Sequence, residues 1–332
     1  MRKGLVLEFW DRSGYLDINN KKYQNYANKI INEKLQDDIS YSDVTTNSLI
    51  NKNKNIKAVI IAKQDGIIAG IDEISAFLRK NKINVIEKSK DGAKVKNNSA
   101  ILEIYGNARK ILAYERTLLN ILQRMSGIAT LTYSLKRLIK NNCFISATRK
   151  TLFNLIDKKA VSGGGGLTHR LNLNDSILIK GNHLKLLNNN IEKALKLAAK
   201  SKIHENRRFS GRRKSTAFSS EARYIEIEVK NEKEALEAAS SIKKIKSKKL
   251  FAIMFDNMEA QIIKATIKKI NNVLNKHINN EKSKNKKIIL FEASGNINEK
   301  NILKYSKTGV DVISLGFLTH SVKAFDMSLE IL

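Results

Sequence analysis

Proline is absent from this chain of 332 residues. Average usage near 5% would supply roughly 17. The gap goes with a crowding of Lys, Asn and Ile, a compositional skew of the kind that accumulates at tolerant surface positions. Cysteine occurs once, as Cys143. That excludes an intramolecular disulfide and a cysteine-rich zinc site. Within the apolar stretch "CFISAT" the thiol reads as buried and structural. Long apolar runs are missing too. "KAVIIAK" and "KKIILFEA" are strand-sized, and nothing approaches the roughly 18 apolar residues of a membrane helix. Glu8 and Asp11 break the apolar part of the N-terminus, making it a poor secretion signal. The expected location is the cytoplasm, with no membrane partner.

Several catalytic signatures are also lacking. There is no GxxxxGK[ST], HExxH or GxGxxG, and no Ser/His/Asp arrangement stands out. Of five histidines, His204 and His277 lie in polar, solvated stretches, while His183 and His320 follow strand candidates. Acidic residues number 32 against 61 basic ones, a net charge of +29. Nucleic acid, an anionic membrane or small polyanionic substrates could each answer such a charge. The lysines are spread over many helices instead of forming one stripe, which favours tolerant surface positions and makes a nucleic-acid partner unlikely.

Apolar residues make up 42% of the chain, enough for a sizeable core. The first part reads as mixed α and β. "YQNYANKIINEKLQDDI" has helical spacing, "IKAVIIAKQDGIIAG" suggests two short strands around Asp65-Gly66, and "AILEIYG" is another strand. A long amphipathic helix follows through "ARKILAYERTLLNILQRMSGIATLTYSLKRLIK", with Gly127 as a possible break. From about residue 142, strands and helices alternate: "CFISAT", "SILIK", "YIEIEV", "LFAIMF", "KIILFEA" and "DVISL". That pattern implies parallel strands with right-handed crossovers. Six strands, with room for a seventh, suit a barrel-like α/β domain. Residues 200–223, rich in Ser and Arg, read as a basic loop insertion.

Polar residues sit at the expected strand ends, where parallel barrels place their chemistry. Arg149 and Lys150 follow "CFISAT", and Lys180 ends "SILIK". Glu226 and Glu228 lie within "YIEIEV". Asp256 and Asn257 follow "LFAIMF", Glu292, Ser294 and Gly295 close "KIILFEA", and Gly316 follows "DVISL". Arg116, Arg149, Lys150, His169, Arg170 and Lys180 form a cationic set suited to a ligand with several negative groups. Glu228 and Asp256 are carboxylates facing that set and suggest Mg2+ shared with substrate oxygens, through water if not directly. The Gly163–Gly166 run before "LTHRLNL" is expected to be a binding loop. "EASGN" and "LGFLTHS" place small residues before helices, where backbone N–H groups bind phosphate.

The motifs "SDVTT", "ERTLLNILQRMSGIAT", "ATRKT", "GGGLTHRLNLNDSILIKGNH", "IEIEV", "FDNM", "EASGNI" and "TGVDVISLGFLTHSVKAFDMSLEI" occur in the order seen in the quinolinate phosphoribosyltransferases, and the chain resembles that family over nearly its whole length. The resemblance implies an N-terminal α/β sandwich domain (1–118), an open seven-stranded α/β barrel as catalytic domain (119–318) and a C-terminal helix returning to the first domain (319–332). It implies phosphoribosyl transfer from phosphoribosyl pyrophosphate to quinolinate with decarboxylation, giving nicotinate mononucleotide, pyrophosphate and CO2. The implied assembly is a homodimer, or a hexamer of such dimers. By the same resemblance Arg116, Arg149, His169 and Arg170 would hold the two carboxylates of quinolinate. Lys150 and Lys180 would lie beside both substrates and act catalytically with Glu228 and Asp256, which would handle magnesium and the ribose hydroxyls. Ser294, Gly295 and Gly316 would help cradle the 5-phosphate. The chain departs from the family pattern in four places: Asn296 stands where a second glycine is usual, Gly181 where an aspartate is, "LFN" replaces the proline and glycine usual after "TRKT", and the stretch between Lys180 and Glu228 is longer than usual. Two other readings stay open, a ModD-like homologue with a different substrate and a non-catalytic anion- or RNA-binding protein on the same scaffold.

Overall fold

The computed structural model describes residues 2–140, 142–201, 224–275 and 287–332. Nearly all of the basic insertion read at 200–223, with His204, and the stretch around His277 lie outside the described residues. Among the described residues twelve strands run in chain order: β1 (Asn55–Ala62), β2 (Gly66–Ile67), β3 (Asn84–Glu87), β4 (Lys94–Val95), β5 (Ala100–Asn107), β6 (Phe144–Ser146), β7 (Ile177–Ile179), β8 (Tyr224–Val229), β9 (Leu250–Asp256), β10 (Ile289–Ser294), β11 (Val312–Ser314) and β12 (Met327–Ile331). The residues fall into two compact units, and neither is one continuous stretch of chain.

One unit comprises Met1–Asp11, Leu138–Ser146 and His169–Leu315. It holds a parallel sheet of six strands in the order β6-β11-β10-β9-β8-β7. All six strand candidates of the second half are present, and no seventh joins them among the described residues. β6 and β7 are the two edges, so the sheet is open between them. The helices that return the chain have ordinary local causes. Asn190 accepts from Lys193 N at the start of Ile191–Lys200, and Asn231 accepts from Glu234 N at the start of Glu232–Lys244. The latter helix carries Glu232 and Glu234 in its first turn and Lys243 and Lys244 in its last, matching the helix dipole.

The first eleven residues belong to this unit rather than to an N-terminal domain spanning 1–118. Helix Arg2–Trp10 buries Val6, Phe9 and Trp10. Arg2 makes a two-pronged bond to Asp311, 2.7 Å on each arm, at the amino end of β11. Cys143 is buried, and burial pushes its thiol up to about 12, with the Asp311 charge adding to the effect. It is a structural thiol, as its sequence context suggests.

The other unit comprises Arg12–Arg137, Ala147–Thr168 and Gly316–Leu332. An antiparallel sheet runs β12-β1-β5-β3, and β2 pairs with β4. The strands around Asp65-Gly66 therefore exist but do not pair with each other. Helix Ala108–Leu138 runs unbroken for 31 residues. Gly127 does not interrupt it. Its missing side chain is required because a Cβ there would collide with the Lys323 carbonyl. The chain end, expected to be a helix, is strand β12 after a single short helix, Phe317–His320. The physical reason is the two-residue alternation Met327, Leu329, Ile331. It suits a strand, and pairing Ala58 with Ile331 covers the edge of β1 that would otherwise be bare.

A buried acidic group lies beneath helix Ile71–Lys80. Tyr23 Oη donates to Glu73 Oε1 at 2.7 Å, Ile71 N donates to Asp91 Oδ1 at 2.8 Å, and Lys159 Nζ stands 3.5 Å from Asp72. Burial pushes the Asp91 carboxyl up to about 8, and the charges of Glu73 and Asp72 push the same way. A carboxyl raised on folding leaves stability intact below its unfolded value and removes it as pH climbs to the folded value. The protein should therefore lose stability between about pH 4 and pH 8 through this group, at up to about 1.4 kcal/mol per pH unit. Asp91→Asn keeps the acceptor for Ile71 N and should flatten that part of the slope. Denaturant unfolding of both proteins at several pH values in this window measures it, and identical slopes would refute the assignment.

Candidate active site

The pleat of a strand sends alternate side chains to opposite faces. In the parallel sheet this sorts the residues by chemistry. Ile225, Ile227 and Val229 of β8 share a face with Phe251, Ile253 and Phe255 of β9 and with Phe291 and Ala293 of β10. The other face carries Glu226, Glu228, Asp256, Glu292 and Ser294. Register then aligns the carboxyl ends. Ser146 pairs with Ser314, Ser314 with Ser294, and Ser294 with Asp256, so four neighbouring strands end in a row of small or acidic polar residues. Glu228 pairs with Met254, one step in from Asp256 on the same face.

At this edge Lys180 is exposed, with Nζ 3.8 Å from Glu228 Oε2. Gly181 N approaches Glu228 Oε1 at 3.5 Å. His183 Nδ1 accepts from Lys180 N at 2.9 Å and so serves the start of a helix. Asp256 accepts from Asn257 Nδ2 at 3.0 Å. Glu228 and Asp256 are hard oxygen donors on adjacent strands, and no third His, Cys, Asp or Glu groups with them among the described residues. Such a pair fits Mg2+, which keeps several waters and takes substrate oxygens as further ligands.

The turn after β10 explains one departure from the family pattern. Gly295 has φ 87 and Asn296 has φ 50, both left-handed. A Cβ on Gly295 would run into the Asn257 side chain, so glycine is required there. Asparagine is among the non-glycine residues that best tolerate the left-handed region. Asn296 therefore keeps the turn that a second glycine would make.

Behind this edge His169, Glu226 and Glu292 are buried together. His169 Nε2 is 3.2 Å from Glu292 Oε2 and 3.5 Å from Glu226 Oε2. Burial drives the Glu226 carboxyl well up, and the neighbouring Glu292 charge adds to it. Glu292 keeps its charge more readily. Burial pushes it up, but His169 and the hydrogen bond with Glu226 outweigh that. Arg170 is buried and donates from Nη1 to Ser176 O at 3.1 Å.

Arg116, Arg149, Lys150 and Gly316 belong to the other unit. Arg116 projects from the long helix and is exposed, with no ion pair among the described residues. Arg149 and Lys150 are exposed on the turn after β6. Lys150 O accepts from Thr319 Oγ1 at 2.6 Å, and a Cβ on Gly316 would lie 3.1 Å from the Lys150 side chain, so Gly316 leaves room for that lysine. His320 bonds Ser321 next to it at 2.6 Å.

Two residues absent from the sequence reading organise this turn. Arg124 holds buried Asp157 through two bonds of 2.8 Å. Asp157 also accepts from Thr151 Oγ1 and from the backbone N–H groups of Leu152 and Phe153, the last two at 3.2 Å. The Arg124 guanidinium reaches Thr319 O at 2.7 Å and lies 5.3 Å from the Phe153 ring centre. The pair thus fixes both segments that carry Lys150 and Gly316. Their identities were visible in "ILQRMSG" and "NLIDKKA", but their partnership, 33 positions apart, was not. Within the Gly163–Gly166 run, Gly164 and Gly165 serve packing. A Cβ on Gly164 would strike the Ala129 carbonyl and Thr132, and one on Gly165 would meet Lys136, all on the long helix.

Removing one member of a buried ion pair strands the other charge. Asp157→Asn should cost about 3 kcal/mol of stability, and adding Arg124→Met should recover part of that loss. Denaturant midpoints of the two single variants and the double test this. Strictly additive losses would show that the two side chains act independently.

The comparisons with known proteins agree. The model of the quinolinate phosphoribosyl transferase C-terminal domain matches residues 128–330, and that of the N-terminal domain matches residues 43–126. A probable nicotinate-nucleotide pyrophosphorylase (carboxylating) of Methanocaldococcus jannaschii is 39% identical over 93% of this chain and 98% of its own. One from Bacillus subtilis is 33% identical over 91% and 92%. The solved nicotinate-nucleotide pyrophosphorylase of Francisella tularensis superposes with a TM-score of 0.72 at 30% identity, covering 93% of this chain and 97% of that one. The chain belongs to the quinolinate phosphoribosyltransferase family.

Proposed function

We infer that the chain is a cytoplasmic, homodimeric pentosyltransferase of NAD biosynthesis, joining quinolinate to phosphoribosyl pyrophosphate. The observation that carries this reading is the row of polar strand ends beside exposed Lys180, on a scaffold shared over nearly its whole length with named nicotinate-nucleotide pyrophosphorylases. The quinolinate ring nitrogen forms a bond to ribose C1 as the bond from C1 to the pyrophosphate oxygen breaks. The electron pair left on C2 when the 2-carboxylate departs as CO2 is stabilised by the adjacent alkylated, positively charged ring nitrogen, and that pair then takes up a proton at C2.

The chain's own residues supply position and charge for these steps. Arg116, Arg149 and Arg170 offer planar forks matched to the carboxylates of quinolinate. Arg116 makes no ion pair with its own helix among the described residues, which supports a role in the partner subunit's site of a symmetric dimer. Lys150 and Lys180 are point charges for the pyrophosphate oxygens, stabilising negative charge as it develops on the leaving group. Ser294, the Gly295-Asn296 turn and Gly316 suit the 5-phosphate, because a tight turn exposes backbone N–H groups. Glu228 and Asp256 face the ribose hydroxyls and would hold Mg2+, which when bound neutralises pyrophosphate charge.

With phosphoribosyl pyrophosphate and magnesium present, quinolinate should disappear with equal release of pyrophosphate and CO2. Nicotinate lacks the 2-carboxylate and should be a poor substrate. Equal turnover of the two acids would overturn the assignment. Separately, Glu228→Gln and Asp256→Asn keep shape while removing charge. Each should lower kcat/KM by about tenfold or more and raise the magnesium concentration needed for half-maximal rate. If neither variant shifts the magnesium requirement, these carboxylates do not serve the metal.

A further inference from the structure

β8 ends at Val229, and the face that carries Glu226 and Glu228 continues, by the two-residue alternation, to Lys230. The side chain keeps to that direction. The point that a Cβ on Gly181 would occupy lies 3.4 Å from Lys230 Nζ and 3.8 Å from Glu228 Oε1. Lys180, next to Gly181, brings its own Nζ to 3.8 Å from Glu228 Oε2. Two ammonium groups thus stand beside one carboxylate at the carboxyl edge of the sheet. The missing side chain of Gly181 leaves the space that Lys230 takes.

A lysine at a protein surface is ordinarily a solvated charge on a loose stem. Lys230 differs in three ways. Its backbone is fixed, because Lys230 N donates to Glu234 Oε2 at 2.8 Å while Glu234 N donates to Asn231 Oδ1 at 2.9 Å at the start of helix Glu232–Lys244. The other Glu234 oxygen accepts from Asn231 Nδ2 at 3.0 Å, so this acid serves the cap and not the ammonium. Lys230 is exposed and makes no ion pair among the described residues. Its ammonium also stands at the strand edge where Glu228 and Asp256 end, rather than on an outer helix face. A compact ammonium has no planar fork to match a carboxylate and suits phosphate oxygens as a point charge. Two of them around one carboxylate leave a net positive charge, which fits a ligand with several negative oxygens close together.

We propose that Lys230 is a further substrate-binding residue, which together with Lys180 holds the pyrophosphate oxygens of the phosphoribosyl donor. This rests on the phosphoribosyl pyrophosphate reading given above. The pyrophosphate group carries most of its charge before its bond to C1 breaks. The contact therefore forms in the bound donor and persists in the departing product, and its loss falls on donor affinity more than on kcat.

The contact can be read without turnover, by titrating inorganic pyrophosphate into the whole protein with magnesium present and measuring the heat. Lys230→Met keeps the stem and removes the charge, and should raise the Kd for pyrophosphate by about tenfold. Lys230→Arg keeps the charge and should stay within about threefold of wild type. Lys233→Met removes the same charge from an exposed position on the following helix. It should leave the Kd within about twofold, because a solvated charge is screened by salt. In turnover, Lys230→Met should raise the KM for phosphoribosyl pyrophosphate by about tenfold, with kcat and the KM for quinolinate within about threefold. An unchanged pyrophosphate Kd in Lys230→Met would overturn the proposal. So would an equal loss in Lys233→Met, which would mark a long-range effect of net charge, or a KM rise confined to quinolinate. Wild-type protein that fails to consume quinolinate would instead sink the functional reading, and the pyrophosphate titrations would still decide whether Lys230 meets that anion.

Discussion

A parallel sheet covered on both faces is ordinarily apolar throughout. Here the register of β8, β9 and β10 lines up Glu226, Glu228, Asp256, Glu292 and Ser294 on one face, and that constraint shapes the rest of the parallel-sheet unit. Acids placed there must be solvated, shared or neutralised. The outer pair, Glu228 and Asp256, stays within reach of water and cations at the strand ends. The inner pair, Glu226 and Glu292, is fully buried, so one carboxyl is driven towards its neutral form while the other is held by hydrogen bonds. The same strand face thus carries accessible charge at its rim and a buried hydrogen-bonded group beneath it.

In the other unit the corresponding anchor is the ion pair of Arg124 and Asp157. Exposed ion pairs contribute little, and this one differs in two respects. Asp157 is completely buried, and its oxygens are shared among a guanidinium, a hydroxyl and two backbone N–H groups. Every hydrogen bond lands on the turn that follows Lys150 or on the segment just after Gly316. Rigidity matters here because lysine is a flexible point charge whose usefulness depends on where its stem begins. The backbone of Lys150 is fixed through its carbonyl by Thr319, and Thr319 is fixed by Arg124.

Much of this was legible in the sequence because it depends on local periodicity. The six parallel strands, the long helix and the helix Lys21–Ile39 follow from short-range patterns of apolar residues. What was not legible depends on encounters distant in sequence. The close approach of Lys323 O to Gly127, and of the long helix to Gly164, turned glycines that read as a break or a ligand loop into packing positions. The resemblance implied a helix for the last residues, yet the exposed edge of β1 offered a row of hydrogen bonds that only a strand could take. The charged candidate residues were picked out by their position at strand ends, and the strands end where that reading put them. Their supports, Arg124, Asp157 and Glu292, act through partners that no spacing rule links to them.

The net charge of +29 is best understood against this site. A substrate pair with two carboxylates, a 5-phosphate and a pyrophosphate needs cations at a few fixed points. The backbone around those points is held by buried acids and hydrogen bonds, whereas Lys29, Lys34, Lys63, Lys96, Lys196 and Lys269 lie 34–73% exposed in surface ion pairs. A charge on a loose surface stem falls off within a Debye length of roughly 8 Å in physiological salt. It can raise the local concentration of anionic substrate but cannot orient it. Orientation needs anchored cations, and three candidates have anchored backbones: Arg170, tied to the His169 ring, and Lys150 and Lys180, tied to Thr319 and His183. Most of the basic excess sits on stems too loose to orient an anion, and the few cations with anchored backbones are the ones whose position the fold specifies.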